Sequence, residues 1–258
     1  MLGRAGRPQF DEKGVGIIMT QDVHRSKFLD LCNGQLPVES VMRNYLMEHL
    51  NAEISVGTVV DRDTAISWLK NTFLCVRIKK DARRYGIEPG SGNLEHWASV
   101  TSVNLLTSLE SSSMITYQND KIFSSKLGKL MARFYLSLET MSLMLNSFEH
   151  QHNEKEVLQM ICKAREFQDF EFQAGEKKCL NSINKNLKYP LSGKIKTIDD
   201  KIFLLVQTTL GSIPLSFNSL NNILPRILQF FEKILNCLVD LGLEHFRCTT
   251  LACVAIKL

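Results

Sequence analysis

Residues 114–123 read MITYQNDKIF, and they stand out because the apolar period changes there. Ile115-Thr116-Tyr117 and Lys121-Ile122-Phe123 flank Gln118-Asn119-Asp120, a polar triplet of the kind that closes a β-hairpin. Around this stretch the apolar residues recur every three or four positions, the signature of amphipathic helices. Several helices followed by one hairpin is the order of a winged-helix module. The sequence therefore predicts a mainly α chain with one β-hairpin.

Upstream, Val38, Val41, Met42, Tyr45, Leu46, His49, Leu50 and Ile54 fit one face of a helix. Asp61 or Asp63 is placed to cap the next helix, which carries Ile66, Leu69, Phe73, Leu74 and Val76. YGIEPGSGN at 85–93 breaks the pattern, and a third helix is expected over 93–109. Downstream, Leu127, Leu130, Met131, Phe134, Tyr135, Leu138, Met141 and Leu145 form a long apolar stripe. Further helices are expected at 154–162, 175–186, 198–210 and 225–241, which together suit a helical bundle. The N-terminus differs: GRAGRPQFDEKG reads as a turn segment, and Val15–Met19 as a short buried strand. A lone strand has nothing to pair with, so this segment is expected to be the end of a domain whose body lies outside the chain. LACVAIKL at 251–258 carries no helix-stop signal, so that end is expected to be cut as well.

Of 258 residues, 44% are apolar and 22% charged, which excludes a disordered tail, a collagen-like fibre and a coiled-coil rod. With only 14 glycines and 6 prolines, helices are favoured over a turn-rich sandwich. The net charge of +4 is too small a total to identify a polyanionic partner. No apolar run reaches the roughly 18 residues of a membrane helix, and no secretory leader follows the first arginines. Seven cysteines at irregular spacing, without a CxxC pair, read as reduced residues of an intracellular protein.

GRAGRPQFD at 3–11 presents Arg4 and Arg7 from one turn, each preceded by a glycine, Gly3 and Gly6. Planar guanidinium groups match phosphate oxygens and stabilise phosphoryl-transfer charge; a flexible basic terminus accounts for the same composition. Arg77, Lys79, Lys80, Arg83 and Arg84 lie within eight residues, opposed only by Asp81. They suit either phosphate contacts or a solvated helix end favoured by the dipole. Lys177, Lys178, Lys185, Lys188, Lys194 and Lys196 form a second stretch with no acidic residue between 177 and 196. That local repulsion is expected to be relieved by a polyanion. Phe134, Tyr135, Phe167, Phe170 and Phe172 could stack on bases, although their helical spacing speaks for core. His150, His152 and Cys162 lack a fourth ligand at suitable spacing, so no metal site is predicted.

GRAGRPQFD resembles the last helicase motif of the superfamily-two DExH-box helicases of the Ski and Brr type. EHLNAEI at 48–54 resembles the winged-helix helix of that family, and AISWLKNTFLCVRIKKDARRYG at 65–86 resembles the next family block. SSKLGKLMARFYLSLETM at 124–141 resembles the junction into its helical bundle. EFQDFEFQAGEKKCLNSINK at 166–185 and GKIKTIDDKIFLLVQTTLGSIPL at 193–215 resemble the bundle itself. PQFD, PVES at 37–40 and the EKKCLNSINK block look most like the meiotic crossover, Mer-type, branch. The resemblance implies the edge of a second RecA-like lobe over 1–24, a winged-helix domain over 25–126 and a partial Sec-type bundle over 127–258. It implies that Arg4 and Arg7 are arginine fingers reaching ATP, with Gly3 and Gly6 letting the backbone turn. It also implies a 3′-to-5′ DNA helicase of meiotic recombination in the nucleus, using ATP and Mg, with DNA and the motor lobes in cis as partners and no membrane. The chain departs from the family in lacking the glutamine before the first motif glycine, a GxxxxGK[ST] loop and a DExH box. Alone it is expected to bind no ATP and to be inactive. A non-enzymatic nucleic-acid or protein-binding module, and an RNA-directed spliceosomal-type relative, remain open as alternatives.

Overall fold

The computed structural model describes residues 6–7, 9–11, 13–35, 37–87, 94–148 and 153–245. It falls into two compact units, residues 1–40 and 41–258. In the first unit, a turn at Arg7–Asp11 precedes helix α1 (Arg25–Cys32), and no described residue is buried. Val15–Met19 is not the expected buried strand. Val15 and Met19 are 83% and 93% exposed, and no neighbouring strand is present among the described residues to pair with the segment.

The second unit begins with α2 (Leu46–Val56), α3 (Arg62–Lys70), α4 (Phe73–Lys80) and α5 (Leu94–Ser111). Val38 and Val41 lie outside α2 and are exposed, because a 3-10 turn at Met42–Tyr45 separates them from it. Asp61 caps α3 in a reciprocal box: its carboxylate accepts the Thr64 amide (2.8 Å), and the Thr64 hydroxyl oxygen accepts the Asp61 amide (3.0 Å). Hydrogen bonds to the carboxylate from the Thr64 amide and then from its hydroxyl hold the Asp61 carboxyl below its usual range. Thr72 caps α4, splitting into two helices what the apolar pattern suggested was one.

The hairpin lies in the expected place, but its loop has two residues rather than three, because Gln118 belongs to the first strand. Strand β1 (Ile115–Gln118) pairs antiparallel with β2 (Lys121–Ser124), Ile115 opposite Ser124 and Gln118 opposite Lys121. Asn119 and Asp120 both have positive φ (49° and 61°), the left-handed pair that a two-residue type I′ loop demands. Ile115 and Ile122 point inward from the same face.

The bundle comprises α6 (Lys126–Phe134), α7 (Leu138–Ser147), α8 (Glu154–Cys162), α9 (Glu176–Ile183), α10 (Ile198–Leu210) and α11 (Asn218–Asp240). The apolar stripe from Leu127 to Leu145 is two helices, because Tyr135 takes the left-handed conformation (φ 55°) and Ser137 caps a new start. Pro225 does not begin α11 but lies inside it. One core runs from the hairpin residues Ile115 and Ile122 through Leu130 and Met131 into Phe167, Ile202 and Ile234. A smaller core of Leu46, Leu69, Leu74, Ile78 and Tyr85 lies under α4. The start of α7 ties winged helix to bundle. Its Ser137 amide donates to the Glu166 carboxylate (2.8 Å) and its Leu138 amide to Glu48 of α2 (3.4 Å), two acids at the positive end of one helix.

Candidate nucleic-acid interface

The first basic group sits where α4 ends. Leu74, Cys75 and Ile78 face inward, and burial pushes the Cys75 thiol up. The opposite face carries Phe73 (51% exposed) and Val76. Arg77 is half-buried, whereas Lys79, Lys80, Arg83 and Arg84 are exposed on the last turn of α4 and the 3-10 turn after it. Asp81 accepts the Arg84 amide (3.3 Å). The fold thus concentrates all five side chains at the negative end of one short helix, where the dipole itself favours cations.

The six lysines of the second stretch are all exposed but not all uncompensated. Lys188 donates to Glu154 of α8 (2.8 Å), and the Tyr189 hydroxyl donates to the same oxygen (2.8 Å). Those contacts, Glu154 first, hold the Lys188 ammonium above its ordinary value. The acid that relieves the repulsion comes from another helix, which a reading of residues 177–196 alone misses. Lys177 stands 4.4 Å from the centroid of the Phe172 ring. Lys178, Lys185, Lys194 and Lys196 have no carboxylate within salt-bridge distance among the described residues.

A third group was not foreseen. On α11, the Arg226 guanidinium lies 5.2 Å from the Phe170 ring and 5.8 Å from the Phe230 ring, and Lys233 lies 6.0 Å from Phe230. Arg226 and Phe230 also line a cavity of about 360 Å³ between α2, the α6–α7 joint and α11, together with Tyr45, His49, Tyr135 and Arg165. Arg165 is committed to Asp169 (3.1 Å), whose hydrogen bond raises its pKa further. Arg226 has no such carboxylate within salt-bridge distance among the described residues. The signal that could have found this strip is the seven-residue spacing of Arg226 and Lys233 with Phe230 between them.

Of the aromatics singled out in the sequence, Phe167 and Phe170 are buried, with Phe167 edge-on to Phe230 at 6.3 Å. Phe134 and Phe172 are half-buried. Tyr135 alone of the five is widely exposed, at 80%. Gly6 has a left-handed backbone (φ 81°), and Arg7 is exposed, whereas Gly3 and Arg4 lie outside the described residues. The Arg7 amide donates to Asp11 (2.8 Å), and its carbonyl accepts the amides of Phe10 and Asp11. His150 and His152 also lie outside the described residues; Cys162 is fully buried, and burial drives its thiol well above the usual value. No described helix is long and apolar enough to cross a membrane.

Two family profiles match, a Sec63 Brl domain over residues 124–258 and a winged helix-turn-helix domain over 39–116. The chain is 33% identical over 248 residues to a probable ATP-dependent DNA helicase HFM1 of Xenopus tropicalis, covering 93% of this chain and 18% of that protein. It is 31% identical to the ATP-dependent DNA helicase MER3 of Saccharomyces cerevisiae, covering 97% of this chain and 23% of that protein. It is 29% identical to activating signal cointegrator 1 complex subunit 3 of Dictyostelium discoideum, covering 95% of this chain and 11% of that protein. The chain thus spans less than a quarter of the length of these relatives.

Proposed function

This chain belongs to the Sec63 Brl family of Ski-type helicases, and we propose that it is the strand-holding part of an ATP-driven DNA helicase. The observation that carries this reading is the α11 strip: Arg226 and Lys233 over Phe230, beside a cavity that also presents Tyr135. A cation beside an aromatic face suits a single strand, because the cation meets phosphate while a base stacks on a ring. The basic end of α4 and Lys178, Lys185, Lys194 and Lys196 extend the phosphate-binding surface, as sequence-independent contacts. The 3′-to-5′ direction, a role in meiotic crossover formation and a nuclear site of action belong to the same proposal, carried by the motif resemblance to the Mer-type branch alone.

ATP with Mg supplies the phosphoryl-transfer chemistry of such motors. The described residues do not form its site. The amides of Arg7, Phe10 and Asp11 are consumed within their own turn, and no lysine-bearing phosphate loop accompanies them. Arg4 and Arg7 act as fingers only toward a nucleotide held by residues beyond this chain.

Fluorescence anisotropy with labelled oligothymidylate, duplex DNA and RNA of equal length, across a salt series, tests the proposal. Single-stranded DNA is expected to bind best, with log affinity falling by about 0.7 per neutralised phosphate for each decade of salt. Arg226→Ala is expected to weaken it by roughly tenfold. Preference for RNA would move the chain to an RNA-directed relative. Absence of salt-sensitive binding to all three would leave a protein-binding module.

A further inference from the structure

Helix α11 begins with few local supports. Phe217, which precedes it, provides no side-chain cap, and Pro225 lacks the amide that would bond the Asn221 carbonyl. Helix α9 supplies an anchor from outside. Glu176, its first residue, is fully buried, and one carboxylate oxygen accepts the Ser219 hydroxyl of α11 (2.6 Å). The other accepts Lys201 of α10 (2.6 Å) and the Gln173 amide (3.0 Å). Lys201, equally buried, also donates to the Glu171 carbonyl (2.7 Å). A second contact lies beside this one. Gly175 adopts φ +87°, and a Cβ there would stand 3.3 Å from the Phe217 ring.

We propose that Glu176 is a positioning residue. Held by Lys201, it latches Ser219 and so sets the rotation and axial position of α11, the helix that presents Arg226 and Lys233. A buried ion pair is poor evidence for stability alone, since well-packed apolar groups of similar volume serve as well. Its distinctive property is direction: one short hydrogen bond from Ser219 to a carboxylate held by Lys201 and the Gln173 amide favours one placement of Ser219, whereas an apolar contact tolerates sliding. The helix runs unbroken from Asn218 to Asp240, so Ser219 and Arg226, two turns apart, move together. The inference rests on α11 being the strand-holding face.

The test uses the full 258-residue chain and labelled oligothymidylate, well below the melting temperature. Both Kd and the fraction of molecules able to bind are measured. Ser219→Ala leaves the Lys201–Glu176 pair intact, and Glu176→Gln with Lys201→Met removes the charges together. Each is expected to raise Kd roughly three- to tenfold with the binding-competent fraction unchanged. Neither is expected to add any loss in an Arg226→Ala, Lys233→Ala background, because the latch then has nothing to place. A merely structural role would instead lower the competent fraction, or add equally in both backgrounds, and either result overturns the proposal. If the Arg226→Ala, Lys233→Ala chain binds less well while the latch variants bind like the native chain, the latch alone fails. If that chain binds like the native one, both readings fail.

Discussion

Gly128 packs against the Met114 carbonyl so closely that a Cβ on it would stand 2.2 Å from that oxygen. The same Cβ would meet the Asn51 amide oxygen and the Ser124 hydroxyl at 2.9 Å. Asn51, fully buried on α2, donates its amide to the Gly128 carbonyl (2.9 Å), and its own Oδ1 finds no donor among the described residues. This is where helix α6 meets α2 and the foot of the hairpin. The nearest of the three atoms in the way, the Met114 carbonyl oxygen, belongs to the backbone and cannot swing aside. Gly128→Ala is therefore expected to destabilise the chain by about 3 kcal/mol, the upper range of overpacking. Urea unfolding would show it as a lower midpoint with an unchanged slope.

Tyr135 holds a left-handed backbone conformation while 80% exposed, so its side chain repays little of that cost through burial. Strained, exposed residues of this kind are retained where a surface is used. Tyr135→Gly is expected to stabilise the fold by about 1 kcal/mol, because glycine adopts positive φ without penalty. The same variant is expected to bind oligothymidylate more weakly, since a ring beside the Arg226 cavity is lost. A stabilised variant with undiminished binding would remove Tyr135 from the interface.

The parts of this fold that could be read from sequence are those with local causes. Asp61 with Thr64 three residues on is a capping signal that needs no tertiary contact. The Asn119-Asp120 turn is legible because few residue types adopt its backbone. The helix breaks at Thr72 and Tyr135 were obscured because apolar spacing continues across them, and only the caps Thr72 and Ser137 mark the restart. The ion pair of Glu176 and Lys201 was invisible for another reason. The two residues are 25 apart in sequence, and each alone resembles a surface charge. Likewise Glu154 quiets Lys188 from 34 residues away, beyond any window of local charge counting.

That last contact separates the bundle lysines. Lys188→Ala is expected to leave the salt slope of oligothymidylate binding nearly unchanged, because its charge is already answered by Glu154. Lys178→Ala, Lys185→Ala, Lys194→Ala and Lys196→Ala are each expected to lower the slope by about 0.7 where the residue touches phosphate. Anisotropy titrations at four salt concentrations resolve the difference. A slope loss for Lys188→Ala equal to the others would show that the Glu154 pair opens on binding.

Acid should reveal the same logic at Glu176. Burial alone would raise its carboxyl pKa, but the hydrogen bonds from Lys201, Ser219 and the Gln173 amide outweigh that, and the group is held below its ordinary value of 4.5. A depressed folded-state pKa adds stability above the unfolded value, and that stability is lost as pH falls through the folded value. At pH 7, Glu176→Gln leaves the Lys201 ammonium buried without its counter-charge, a loss expected at about 3 kcal/mol. At low pH the native chain protonates Glu176 and reaches the same situation, a neutral side chain facing a buried ammonium. The stability gap between the native and Glu176→Gln chains should therefore be constant above pH 4.5 and close progressively below it. The other carboxylates titrate alike in both chains and cancel in the difference. Urea unfolding of the pair at pH 7, 5, 4 and 3 measures the gap directly. A gap that stays constant down to pH 3 would mean that Lys201 does not draw its stabilisation from the Glu176 charge.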